Sequence, residues 1–497
     1  MQLWTDIVSN ALLGTDKQAP VTAGWPEDFT TALTHINGNT AIDKEEKFLQ
    51  LAALAFNYRQ SGSLPLHKED AGIPTASEEI RPGCSMAAIQ AFNDVVAEDN
   101  EGLLQLWLEC CAASQQIAHP YMLPALLDKA ISQKALRPLV ESCAGERGKW
   151  LAQFNPDWKM PAAVSLEEQW QTGTLAQRKA ALAQLSETDP AAARAWLQQT
   201  WPQENANARA DLLSSLRPIV FAEDSSWLEV LLNEKSVKVK EVVMHLLRMQ
   251  PGSSIVKLYW QVAQQAISIK KEKALLGLSS KTTLQVKLPD TVDENIFKYG
   301  IERLSSNKKI PDEAYIVEQL VQAVPPHLWE NHLQETPEKI ITLFTEHSAG
   351  GRLYAALESA ASKFRNAQWA KLLVAEGNRF YYPLVYALEP AEREPYIIRS
   401  LTKTPEDVMT YLRQEVEGEW SLPLTRAVLE YACKSPYSYN RLFFSKRAHQ
   451  LPVEILASLD SISPQRPEQH VNDAWNDIRA HIKKLLVLKQ QIINAFQ

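Results

Sequence analysis

Five sets of residues recur at intervals of 31 through the middle of this chain. Leu166, Leu197, Leu228 and Tyr259 form one set, and Trp170, Trp201, Leu232 and Ala263 a second. Arg178, Arg209, Lys240 and Lys271 form a third. Leu182, Leu213, Met244 and Leu275, then Leu185, Leu216, Leu247 and Leu278, complete the pattern. A period of roughly 20–50 residues constrains a chain to stacked units, each burying its apolar face only against its neighbours. Each unit reads as two helices, the second opening with the basic residue. Helices this short are marginal alone in water, so neighbour packing must stabilise them.

Local signals place the helix ends. Asp189 and Pro190 suit an N-cap and a first turn, and Asp224, Ser225 and Ser226 offer the next caps. Pro251-Gly252 ends the helix running through Leu246 and Leu247. Upstream, Leu3, Trp4, Ile7, Val8, Ala11 and Leu12 recur at helical spacing, with Gly14 placed as a C-cap. Helices are expected at 43–58, 86–97, 101–116 and 120–131, with a loop across 61–84. Residues 282–295 alternate apolar and polar, which fits either a brief strand or an extended linker. The segment 407–432 reads as a further helix pair, and 471–496 as a final helix. The expected domains are an N-terminal helical region (1–158), the repeats (159–285) and a C-terminal helical region (286–497).

Only 17 of 497 residues are glycine, against about 7 % in average proteins, which disfavours hairpins and Gly-rich nucleotide loops. The formal net charge of −8 argues against a general nucleic-acid coat. No signal peptide or membrane span is read, and the expected location is the cytoplasm. The five cysteines, Cys84, Cys110, Cys111, Cys143 and Cys433, are odd in number and lack a C-x-x-C pair, which fits free thiols in a reducing compartment.

Two resemblances follow from particular residues. The stretch from Trp227 to Leu247 resembles a HEAT repeat, a helix, polar turn, basic residue and second apolar helix in order. Trp4 with Ala11-Leu12-Leu13-Gly14-Thr15-Asp16-Lys17, Leu136-Arg137-Pro138, the run from Gly145 to Ala152, Pro156-Asp157-Trp158, and Trp170 with Gly173 and Arg178 resemble an uncharacterised bacterial helical-repeat family. One departure is Lys17, where arginine is expected, and lysine cannot bind bidentately. That family is encoded beside MoxR-type AAA+ ATPases and von Willebrand A-domain proteins. The resemblance implies a protein partner of that kind and no particular chemistry.

The candidate partner-binding residues are Arg178, Arg209, Lys240 and Lys271, together with Arg379, Tyr381 and Tyr382. The basic set would form a charged ladder along the stack. It either bonds carboxylates or helix ends in the next unit, or grips an acidic partner. Arg379 leads the aromatic group Phe380, Tyr381, Tyr382 and Tyr386, and Tyr and Arg are enriched at interface hot spots. Gly145 to Trp150, with Arg147 and Lys149, is either a phosphate-facing turn or a structural turn docking Trp150 and Trp158 onto the first repeat. It lacks P-loop spacing. No catalytic residue, cofactor or metal site is read, since His327, His332 and His347 are scattered and no nucleophile motif is present. The sequence therefore predicts an all-α, right-handed HEAT-like α-solenoid acting as a non-enzymatic scaffold. The alternative is a HEAT-like DNA glycosylase of the alkylation-repair type, which would need a basic concave face.

Overall fold

A computed structural model describes residues 2–15, 22–61, 74–158, 165–216, 221, 225–273, 280–416, 418–465 and 468–497. The chain separates into two compact units, Met1–Ala76 and Ser77–Gln497.

The first unit holds α1 (Gln2–Leu13), α2 (Thr30–Gly38) and α3 (Lys44–Ser61). Its core is small: Ile7, Ile36, Leu51 and Ala55 are buried, with Trp4, Trp25 and Phe48 packed around them. Gly14 takes φ +90° and donates its N–H to Asn10 O at 3.1 Å, the C-cap that its position suggests.

The second unit begins with α4 (Met86–Ala97), α5 (Glu101–Ala113), α6 (Leu123–Ser132) and α7 (Arg137–Ala152). The repeat region follows as α8 (Leu166–Thr172), α9 (Leu175–Thr188), α10 (Pro190–Thr200), α11 (Ala206–Ser214), α12 (Ser226–Leu231), α13 (Val237–Leu247) and α14 (Ser254–Ala266). After it come two strands, β1 (Ile267–Lys273) and β2 (Ser280–Val286). The chain then continues through α15 (Asn295–Lys298), α16 (Asp312–Ala323), α17 (Leu328–Leu333), α18 (Pro337–Glu346), α19 (Gly350–Lys363), α20 (Ala367–Glu376) and α21 (Pro390–Ser400). It ends with α22 (Pro405–Gln414), α23 (Leu422–Ala432), α24 (Arg441–Ser445), α25 (Leu456–Leu459) and α26 (Gln469–Ala495). Apart from the one β-hairpin, the regular structure of the described residues is helical, so the fold is all-α. Among the described residues no helix is long and apolar enough to cross a membrane.

Short polar side chains start the repeat helices. Ser165, Asp189, Asn205, Ser236 and Ser253 each accept a backbone N–H of the first turn. Thr174 and Gln177 form a reciprocal capping box. Of the expected caps of α12, Ser225 sits at the N-cap without a side-chain bond, and Asp224 lies outside the described residues. The apolar sets point inward: Leu182, Leu197, Leu213, Leu228, Leu247, Tyr259 and Ala263 are fully buried in one core that runs on to Trp475 and Leu486. Helix α9 packs on α11, and α11 on α13.

The fourth copy departs from this. Its first helix, α14, is present, but the second helix is replaced by β1, paired antiparallel with β2 in the register Ile269↔Leu284 and Lys271↔Thr282. The run Ile-Ser-Ile-Lys-Lys-Glu-Lys alternates from residue 267 and opens on β-branched side chains, which suit a half-buried strand. Ile267 and Leu284 are the buried positions. Lys271 therefore sits on a strand and not at the start of a helix, and Leu275 and Leu278 lie outside the described residues. Strand β2 resolves the two readings of 282–295 in favour of a strand over its first part.

A separate core joins distant parts of the second unit. Phe92, Trp107, Leu126 and Cys143 pack with Leu485, Leu488 and Ile492 of α26. The Trp107 indole donates to Ala88 O at 2.8 Å and meets the Phe496 ring edge-on at 5.3 Å. Lys489, only 1 % exposed, donates to His449 O (2.8 Å), Leu451 O (2.7 Å) and the Glu419 carboxylate, so its buried charge is fully partnered.

Candidate functional site

The basic set forms rungs of unequal construction. In the first, Arg178 lies 4.4 Å over the ring of Trp170 and donates to Glu204 at 2.5 Å. In the second, Arg209 lies 5.3 Å over Trp201 and reaches Glu234 at 3.1 Å. Its Nε also donates to Trp201 O at 3.0 Å, and the Trp201 indole donates to the same Glu234 oxygen. Each acid belongs to the hairpin after that of its arginine. Both arginines are therefore tied from one copy to the next by charge-assisted bonds, with side-chain exposures of about a fifth. Trp170 stacks further on Trp196 at 5.8 Å.

Lys240, the third member, has Leu232 where the first two rungs have tryptophan. Among the described residues no carboxylate lies within ion-pair distance of it. The acid is absent in sequence too, since the positions matching Glu204 and Glu234 fall on Ala266 and Gln265. Lys271, on β1, pairs with Glu335 at 3.3 Å across its exposed face. The four residues share a spacing, but they share one kind of environment only at the first two positions.

Arg379 projects from the segment after α20 and grips Glu358 of α19 through Nε (3.1 Å) and Nη2. Glu358 is 1 % exposed, and burial pushes its carboxyl above the ordinary value although Arg379 opposes this. Tyr381 is held by its N–H to Tyr396 Oη (2.8 Å) and its hydroxyl to Ser359 (3.2 Å). Tyr382 is 48 % exposed and stacks on Tyr411 at 6.1 Å, while Tyr386, 45 % exposed, donates to Glu415 at 2.7 Å. Thus Arg379 braces a buried carboxylate and lies 5.2 Å over the Tyr381 ring, and Tyr382 with Tyr386 presents an aromatic surface.

The Gly145 turn does hold an anion, and it is one of the protein's own. Gly145 (φ 63°, ψ −163°) kinks α7, and the freed N–H groups of Glu146 and Arg147 donate to the Glu79 carboxylate at 3.0 and 2.7 Å. A Cβ at residue 145 would stand 2.6 Å from that carboxylate, so only glycine permits the approach. The phosphate-facing reading is corrected accordingly. Trp158 is also corrected, because its indole donates to Asp128 of α6 at 2.7 Å rather than docking onto the first repeat. Sequence reasoning could not find Glu79, since nothing local marks a partner 66 residues upstream.

All five cysteines are free. The hydrogen bond that Cys111 donates to Cys143, together with burial, raises the Cys111 thiol, and burial raises Cys84, Cys110 and Cys433. His332 bonds Ile267 O at 2.8 Å and packs edge-on against Trp260 and Trp329. Among the described residues no group of three His, Cys, Asp or Glu side chains could hold a metal ion.

Residues 6–496 match a family of unknown function, DUF5691. The chain belongs to that family. No curated protein and no solved structure matches it. Of the segments that carried the resemblance, Asp16 and Lys17 lie outside the described residues.

Proposed function

We propose that this DUF5691 protein is a non-enzymatic scaffold whose hairpins stack as a HEAT-like solenoid and bind another protein. One observation carries the reading: the first two basic rungs tie each hairpin to its successor through Arg178–Glu204 and Arg209–Glu234, so the repeated residues serve the stack and leave its surface for recognition. The proposed partner is of a MoxR-type AAA+ ATPase system or a von Willebrand A-domain protein, a choice that rests on the family resemblance alone. The same ion pairs disfavour the DNA-glycosylase alternative, because arginines engaged with glutamates are withdrawn from phosphate contact.

The test is affinity purification of the tagged chain from its native cell, followed by mass spectrometry and gel filtration. A single protein recovered at near-equal amount supports the scaffold. Recovery of the chain alone, together with DNA-column retention that falls steeply with salt, would replace it with the nucleic-acid reading.

A further inference from the structure

The third hairpin differs from its neighbours at the surface as well as in its rung. Val230 on α12 is 67 % exposed, whereas the positions 31 residues either way, Gln199 and Gln261, and Glu168 before them, are exposed and polar. Val237, which opens α13, is 71 % exposed. The two valines flank the turn between α12 and α13, and Lys240 lies one turn beyond Val237 on the same helix face. Val230 also lines an open groove of about 730 Å³, together with Lys235, Ser236 and the paired Arg209 and Glu234.

The charges of this patch are unevenly satisfied. Arg209 is paired with Glu234 and Lys238 with Asp211. Glu229 is taken by the backbone N–H and hydroxyl of Ser254. Among the described residues Lys235 and Lys240 have no carboxylate partner. Glu241 follows Lys240 directly and so points about 100° away around the helix. What remains is positive charge next to two exposed apolar side chains, at a rung whose acid is missing.

We propose that this patch receives an acidic segment of a partner protein. A carboxylate of the partner completes the third rung at Lys240, and its apolar side chains cover Val230 and Val237. This rests on the scaffold reading and specifies its surface. An acidic occupant is favoured over nucleic acid because the patch carries two spare cations next to apolar area, not a continuous phosphate-spaced strip.

The probe is a fluorescein-labelled amphipathic peptide of Leu-Glu-Glu-Leu repeats, read by fluorescence anisotropy against the full chain. The same peptide with lysine in place of glutamate is the control. The acidic peptide is expected to bind, and to weaken by about fivefold as NaCl rises from about 0.05 M to about 0.3 M. Lys235→Glu with Lys240→Glu should weaken it by about tenfold, and Val230→Gln, which restores the polar type of the other copies, by about threefold. An unchanged melting temperature verifies that each variant is folded. Absence of binding, equal binding of the lysine peptide, or indifference to the charge reversals overturns the proposal. A partner recovered from cells that is retained by Lys240→Glu would also overturn it, while leaving the scaffold reading in place.

Discussion

The three helical copies and the fourth copy carry the same 31-residue spacing, yet only the first three complete two helices. Leu213, Leu247 and the strand residue Ile267 are all fully buried in one core, so both kinds of copy bury apolar area against their neighbours. The difference lies in what the backbone does between buried positions. In α11 and α13 the capping residues Asn205 and Ser236 commit the chain to helix. In the fourth copy Ile267 continues directly from α14, and its alternating sequence pairs with β2 instead. A repeat in sequence thus fixes where a unit meets the next one more firmly than it fixes the secondary structure used to get there.

The largest test of that comparison is truncation within the shared core. Leu213→Ala in a helical copy and Ile267→Ala in the strand copy should each cost about 2–5 kcal/mol in urea unfolding. A loss below about 1 kcal/mol at Ile267 would show that the β-hairpin is not docked as tightly as the helices. Next is the closed first rung. Glu204→Ala leaves Arg178 partly buried without its acid and should cost about 1–3 kcal/mol, with a smaller loss in high salt.

Lys363 at the end of α19 sharpens the contrast between buried and surface cations. Like Lys240 it has no carboxylate partner among the described residues, but burial and the nearby Arg248 push its ammonium down to about 8. Between about pH 8 and the ordinary value of 10.5, the unfolded chain holds more protons than the folded one. Stability at this site therefore rises with pH through that window, and the charged form is a cost at neutral pH. Lys363→Met should stabilise by about 1–2 kcal/mol at pH 7, and the gain should shrink as pH rises from 8 towards 10.5. Paired urea titrations at the two ends of the window measure it. The smallest effect belongs to the open rung: Lys240→Ala should change stability by no more than about 0.5 kcal/mol. A loss as large as that at Glu204 would mean that the third rung is closed in solution.

Much of this fold was readable from sequence because its signals are local. Asp189 caps α10 by accepting from Ala192 N at 2.9 Å, and Pro251-Gly252 follows the end of α13, as their residue types suggest. The candidate site was less readable because its partners are remote. Glu204 and Glu234 lie 26 and 25 residues beyond their arginines. They become visible only once the hairpins are superposed in space. The strand at 267–273 was masked by the persistence of the basic spacing through Lys271. The Gly145 kink was recognisable as a turn, but its occupant came from the far side of α4 to α6.

The core around Trp107 bears on how the protein is made. Its walls come from α4–α7 and from Leu485, Leu488 and Ile492, which are synthesised long after those helices. Early helices must wait with an apolar flank uncovered until α26 has been made. Shortening the chain by its final dozen residues should therefore harm the beginning of this unit more than its middle, and a chaperone that shields α4 and α5 during translation would have a definite window in which to act.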